Sequence, residues 1–169
     1  GKPQRSRISV VTAEGLVQHR FQALIEGHQH DFLEPAGVIQ GCPACGKRDA
    51  GGVSASIGDL IEGAKKHAPK AGAIYSMATG AEPATQEEAA ILEKSGLPVR
   101  AMTSRIGQVF EPMFPFGIAF AALAVANGKL AAAMPGVPME TAGPDGVKSI
   151  IVSTVGHWRG EGAGVIEAI

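Results

Sequence analysis

Residues Ala71–Thr103 read AGAIYSMATGAEPATQEEAAILEKSGLPVRAMT. The first part, Ala71–Met77, consists mainly of small and apolar residues and predicts a buried strand. A helix is predicted next, because Thr85 and Glu88 have the spacing of a capping box at a helix start. A second apolar stretch, Leu97–Thr103, predicts another strand. A strand, a helix and a strand in this order predict a unit of parallel sheet.

The pattern continues on both sides of this unit. Arg7–Ala13 is short and rich in β-branched residues, which predicts an earlier strand, and a helix with apolar residues at helical spacing follows from Ser56. Beyond the unit, Met113–Ala126 predicts a helix that is apolar on all sides and therefore buried. Val147–Val155 and Gly162–Ile169 predict two closing strands. The order β-α-β-α-β-α-β-β predicts an α/β fold with a mainly parallel sheet and an antiparallel edge strand.

The composition limits what this protein can do. With 169 residues, of which 45% are hydrophobic, the chain is large enough to bury a core of its own. Its formal net charge of -1 argues against a nucleic-acid partner. The longest uncharged apolar run, Phe114–Ala126, is too short for a membrane span, and the first residues do not resemble a secretory signal. Because there are also only two cysteines, we expect a cytoplasmic location.

Residues 1–52 are predicted to form an irregular N-terminal segment with strand sequence and a loop that contains histidine and cysteine. In this loop Cys42 and Cys45 enclose Pro-Ala and precede a glycine, as in a zinc knuckle, where the tight turn directs both thiolates to one ion. His28 and His30 could complete four ligands. Two reduced cysteines without any cofactor are the alternative, because a lone Cys-x-x-Cys lacks the second pair of a zinc ribbon.

Three segments carry a family resemblance: Ile74–Pro83, Thr103–Gly128 and Val152–Gly160. In order and spacing they are similar to Asn-Ala-His-Gly-Thr-Gly-Thr-Pro, Lys-x-x-x-Gly-His with its small-residue helix, and Asn-Ser-Phe-Gly-Phe-Gly-Gly of β-ketoacyl-ACP synthases. The resemblance covers roughly residues 53–169 and is to the C-terminal half of these condensing enzymes. It implies a thiolase-like half, with a mixed five-stranded sheet covered by helices, in fatty-acid or polyketide synthesis.

The resemblance also implies that the catalytic set is not intact. In the family, two histidines assist decarboxylation of the malonyl donor and a lysine organises the site. Ala78 stands at the first histidine position, Gln108 at the second and Thr103 at the lysine position. A methyl group donates no hydrogen bond, and an amide donates one but does not exchange protons as imidazole does. The family's nucleophilic cysteine belongs to its N-terminal half, so this chain alone is predicted to be inactive.

The same resemblance implies a substrate pocket at Gly107 and at Val155, Gly156 and His157, where the family has a gating phenylalanine turn. The implied substrate is an acyl thioester on an acyl carrier protein, and the implied partner is a missing N-terminal half or a catalytic synthase subunit. The hypothesis is therefore a noncatalytic partner that shapes an acyl tunnel, as chain-length factors do. An active acyltransferase completed by the absent half and a small zinc-ribbon binding protein are the alternatives.

Overall fold

The structure is a computed structural model that describes residues 6–12, 15–16, 34–36, 52–109, 112–156 and 161–168. Its elements, in chain order, are β1 (Ser6–Thr12), β2 (Gly15–Leu16), β3 (Glu34–Ala36), α1 (Gly52–His67), β4 (Ala73–Ser76), α2 (Ala84–Lys94), β5 (Val99–Ala101), α3 (Thr103–Ile106), α4 (Met113–Asn127), β6 (Ser149–Val155) and β7 (Glu161–Ala168). The predicted α/β class and the predicted order of the main elements are confirmed. The short strands β2 and β3 and the single turn α3 are additions to the predicted order.

The strands form one mixed sheet in the order β2-β1-β7-β6-β4-β5, with β3 beside β1. β4 lies next to the edge strand β5 and is parallel to both of its neighbours: Tyr75 pairs with Arg100 on β5 and with Val152 on β6. β7 is antiparallel to β6 and to β1. The predicted antiparallel strand is therefore present, but it lies between β6 and β1 and not at the edge of the sheet. Because β6 and β1 pair with its two sides, β7 presents no free edge over residues 163–167.

Helices cover both faces of the central strands. Successive residues of a strand point to opposite faces, so Val152 and Ser153 on β6 mark the two sides. Ser153 bonds to a residue of α2, whereas Val152 lies next to Gly117 of α4. β6 is buried at almost every position, as expected for a strand with helices on both faces.

Helix α4 differs from the helix that the sequence predicts. Its inner side packs against β6 and β7, with Gly117 and Ala121 buried there. Its outer side is apolar but open to solvent, since Phe116 is 43% exposed and Leu123 48%. The prediction that this helix is covered on all sides is therefore wrong within the described part of the chain. Phe116 and Phe120 stack on each other with ring centroids 6.2 Å apart and so remove part of this apolar surface from water.

The start of α2 also differs from prediction. The helix begins after Pro83, which makes no side-chain capping bond, so Thr85 and Glu88 do not form a capping box. Glu88 instead points into the protein and is only 1% exposed.

In the described part of the chain, no helix combines the length and the apolar character needed to cross a membrane.

The close approach of α4 to the sheet gives a stability prediction. A Cβ atom on Gly117 would lie 2.5 Å from Met77 Cγ and 2.7 Å from Val152 Cγ1, whereas a Cβ on Gly58 of α1 would meet no atom within 4 Å. Both glycines lie inside helices, where alanine is the better helix former by about 0.5–1 kcal/mol. We expect Gly58→Ala to raise the free energy of unfolding by this amount and Gly117→Ala to lower it by about 1–3 kcal/mol through overpacking.

Urea denaturation of the two variants measures this difference. Because the substitution and the secondary structure are the same, their comparison isolates the contact between helix and sheet. Equal stabilities would mean that α4 does not approach β6 as closely as described.

Candidate functional site

The carboxyl ends of the parallel strands β5, β4 and β6 lie at one edge of the sheet, the position at which open α/β sheets bind ligands. Ser76, the last residue of β4, pairs with Ala101 on one side and with Ser153 on the other. The chain continues from these strand ends into Ala78 and into Thr103. Two positions that the sequence singles out therefore lie at the same edge.

Ala78 and Thr103 are in direct contact. The Thr103 hydroxyl donates a hydrogen bond of 2.6 Å to the Ala78 carbonyl oxygen. The backbone supports the contact, because the Met102 amide donates to the Ser76 carbonyl at 2.9 Å. Thr103 opens α3, so the resulting turn is fixed to the end of β4.

The other predicted site residues are placed as follows. Gly107 ends α3 with a φ of 74°, a backbone angle that favours glycine, and Gln108 follows it in a half-buried position. Val155 is the buried last residue of β6, and Gly156 is half-buried directly after it. His157 lies outside the described residues. The structure thus brings Ala78 and Thr103 together and sets Val155 and Gly156 at the end of the neighbouring strand.

A buried carboxyl group lies beside this edge. Glu88 of α2 accepts a hydrogen bond of 2.8 Å from the Ser76 hydroxyl and one of 2.7 Å from the Ser153 hydroxyl, one on each carboxyl oxygen. The Ser76 hydroxyl in turn accepts the Ala78 amide at 3.3 Å. Glu88 therefore ties a helix to two parallel strands next to the turn at Ala78.

Burial raises the pKa of Glu88 above its ordinary value of 4.5, and the hydrogen bonds from Ser153 and Ser76 offset this only in part. A carboxyl group with no neighbouring cation is disfavoured in its charged form when it loses contact with water. Burial therefore disfavours the charged form of Glu88, whereas the two hydroxyl donors favour it. A neutral acid can donate as well as accept a hydrogen bond.

A pocket of about 210 Å³ opens at this edge. Its polar lining comes from Ser76, Thr85, Glu88, Thr103 and Ser104. Its remaining described lining residues are Ala78, Gly80, Ala101, Val137 and Met139. The volume is below the range of about 300–1,000 Å³ that is usual for sites of drug-sized ligands. The pocket can therefore hold a small group or the end of a longer molecule.

The segment 129–148 connects α4 to β6 and contributes Val137 and Met139 to the pocket lining. The side chain of Glu140, fully buried, fastens this connecting segment. Glu140 Oε1 accepts the Ala101 amide at 2.8 Å, and Oε2 accepts the Met134 amide at 2.6 Å and pairs with the Arg105 guanidinium. One carboxylate therefore links the connecting segment to β5 and to α3.

Arg100 of β5 strengthens the same attachment. It is 2% exposed, and its guanidinium donates to the carbonyl oxygens of Ala131 at 2.6 Å and Thr141 at 2.8 Å. The hydroxyl oxygen of Tyr75 accepts the Ala131 amide at 3.2 Å. Because these bonds are made to backbone atoms, they fix the path of the connecting segment and so the shape of the pocket wall.

Sequence reasoning missed the roles of Glu88 and Glu140. For Glu88 a signal exists: it lies one turn from Ala84 and from Leu92, the other buried residues of α2, and therefore on the buried face. Glu140 lies in a segment without regular secondary structure, so no periodicity could indicate that it is buried.

The predicted zinc ligands Cys42, Cys45, His28 and His30 lie outside the described residues. Among the residues that are described, no group of histidine, cysteine and carboxylate side chains could hold a metal ion. The zinc site stays a prediction from sequence.

Comparison with known proteins finds no match: no family model, no curated protein and no solved structure is similar to this chain.

The position of Glu88 predicts how stability depends on pH. Because its pKa is raised in the folded state, the group does not oppose folding below pH 4.5 and opposes it increasingly as pH rises through the folded pKa. We expect Glu88→Gln, which keeps the size, accepts one serine hydroxyl on its oxygen and can donate to the other from its amide nitrogen, to gain stability relative to the wild type as pH rises from 4.5 to neutral. Urea denaturation at a series of pH values measures this gain.

Two further variants complete the test. Glu93→Gln removes an exposed carboxyl group from the same helix and controls for the loss of one acidic residue. Ser153→Ala leaves one buried oxygen of Glu88 without its donor and should cost about 1–3 kcal/mol. A difference between Glu88→Gln and the wild type that does not change with pH would contradict the described burial of this carboxyl group.

The zinc prediction has its own measurement. If Cys42 and Cys45 hold zinc with His28 or His30, the purified chain contains about one equivalent of zinc, and a chelator lowers its thermal midpoint by several degrees. Cys42→Ala should abolish both effects. Elemental analysis that finds no metal would favour the alternative of two reduced cysteines.

Proposed function

We propose that this chain is part of a ketoacyl-synthase-like protein with a thiolase-like fold that binds an acyl group without performing the condensation. In this proposal it shapes an acyl site for a catalytic synthase partner in fatty-acid or polyketide synthesis, as chain-length factors do. Its ligand is an acyl thioester carried by an acyl carrier protein.

The observation that carries the proposal is the hydrogen bond of 2.6 Å from the Thr103 hydroxyl to the Ala78 carbonyl. These residues stand at two family positions that are 25 residues apart in sequence, and a shared site requires such positions to meet. Their contact lies at the pocket, which both residues line. The contact is consistent with the resemblance, which requires these two positions to meet in one site.

The side chains in the described pocket suit binding better than chemistry. Decarboxylation of a malonyl donor needs groups that stabilise a developing enolate oxygen. Ala78 supplies a methyl group there, and the Thr103 hydroxyl already donates to a backbone carbonyl. Glu88 has both oxygens engaged by serine hydroxyls. A protein that holds an acyl group and leaves catalysis to a partner is consistent with these side chains.

Binding of a small acyl thioester tests the proposal. We expect isothermal titration of the chain with butyryl-pantetheine to show saturable binding, and pantetheine without the acyl group to bind at least about tenfold more weakly. Ala101→Met places a larger side chain in the pocket wall and should reduce butyryl-pantetheine affinity by about tenfold or more. Ala90→Met makes the same substitution at an exposed position of α2 and should leave the affinity unchanged.

Incubation of the chain with malonyl-ACP tests whether it is inactive alone. We expect no decarboxylation above background. Turnover would contradict this expectation, and no binding of butyryl-pantetheine would remove the acyl site from consideration.

A further inference from the structure

The described residues that line the pocket include one ionisable side chain. This side chain is the acid Glu88, which is 1% exposed. Lysine, arginine and histidine are absent from the described residues that line the pocket. The inner end of the pocket therefore offers a ligand carboxylate no described cation.

The two arginines of this region point to other partners. The Nη2 atom of Arg105 donates to the Ala132 carbonyl at 2.7 Å and pairs with Glu140. Arg100 donates to three backbone carbonyls. Moving either guanidinium to a ligand would break bonds that hold the connecting segment in place.

We propose, on the basis of the proposed function, that this pocket accepts neutral acyl groups and excludes acyl groups that end in a carboxylate, such as malonyl. A cost acts against the second class, because a carboxylate that enters loses its hydration without gaining a cation from the described lining. A neutral acyl chain does not meet this cost, and Ala78, Val137 and Met139 give it apolar contacts.

A neutral donor completes the site. Thr85 lines the pocket, and its hydroxyl is buried without a hydrogen-bond partner. A hydroxyl can donate to the carbonyl oxygen of a thioester. Among the described lining residues, Thr85 therefore offers a neutral acyl thioester a hydroxyl that is not already engaged, beside the apolar side chains of Ala78, Val137 and Met139.

A matched pair of ligands tests the inference. Isovaleryl-pantetheine and malonyl-pantetheine carry acyl groups of the same shape and the same number of non-hydrogen atoms, but only malonyl carries a negative charge near neutral pH. By isothermal titration we expect the wild-type chain to bind isovaleryl-pantetheine at least about tenfold more tightly. Equal affinities, or tighter binding of malonyl-pantetheine, would overturn the inference while leaving the proposed function intact. Failure of both ligands to bind would instead remove the proposed function.

A pair of variants then tests whether the lack of a cation in the pocket causes the preference for isovaleryl-pantetheine. Thr103→Lys brings a cation to the pocket and Thr103→Met a neutral side chain of similar length, and both remove the bond to Ala78. We expect Thr103→Lys to reduce the preference for isovaleryl-pantetheine by about tenfold and Thr103→Met to retain it. Circular dichroism establishes that both variants fold. If the two variants show the same preference, charge does not set the specificity and the inference fails.

Discussion

The carboxyl group of Glu88 determines how the two sides of this site fit together. It bonds Ser76 on β4 and Ser153 on β6 at the same time, so helix α2 keeps one position relative to two neighbouring strands. A buried polar group is stable only when its partners are all present. The hydroxyls on both strands and the carboxyl group on the helix therefore form one hydrogen-bonded unit. Because the Ala78 amide donates to the Ser76 hydroxyl, this unit also positions the turn at Ala78.

A second carboxyl group holds the segment that connects α4 to β6. Glu140 accepts hydrogen bonds from two backbone amides and pairs with Arg105, and so satisfies donors that would otherwise be buried without partners. The two acids differ in their neighbours. Glu140 has a guanidinium beside it, whereas the described partners of Glu88 are hydroxyls and its burial raises its pKa.

The secondary structure was largely predictable from sequence, and the site only in part. The segments at residues 73–76, 99–101, 113–127 and 149–155 show clear apolar patterns, because each buries side chains in one core. The spacing of Thr85 and Glu88 matches a capping box, so Glu88 is interpreted as a capping residue, although it bonds serines on two strands and lies on the buried face of α2. The exposed side of α4 was also missed, since an apolar sequence does not distinguish a covered face from an open one. β7 lies inside the sheet because it pairs with β1, and no local sequence pattern specifies this pairing.

The pairing of β1 with β7 has a consequence for the synthesis of the chain. It joins Arg7 to Glu167 and Ile8 to Ile166, residues that are far apart in the sequence. A ribosome makes the first strand long before its partner, and contacts of such large sequence separation form slowly. The β-branched sequence of β1 must wait with an unpaired edge until β7 emerges, and unpaired strand edges promote aggregation. During translation the edge of β1 that pairs with β7 therefore stays open until β7 has been made.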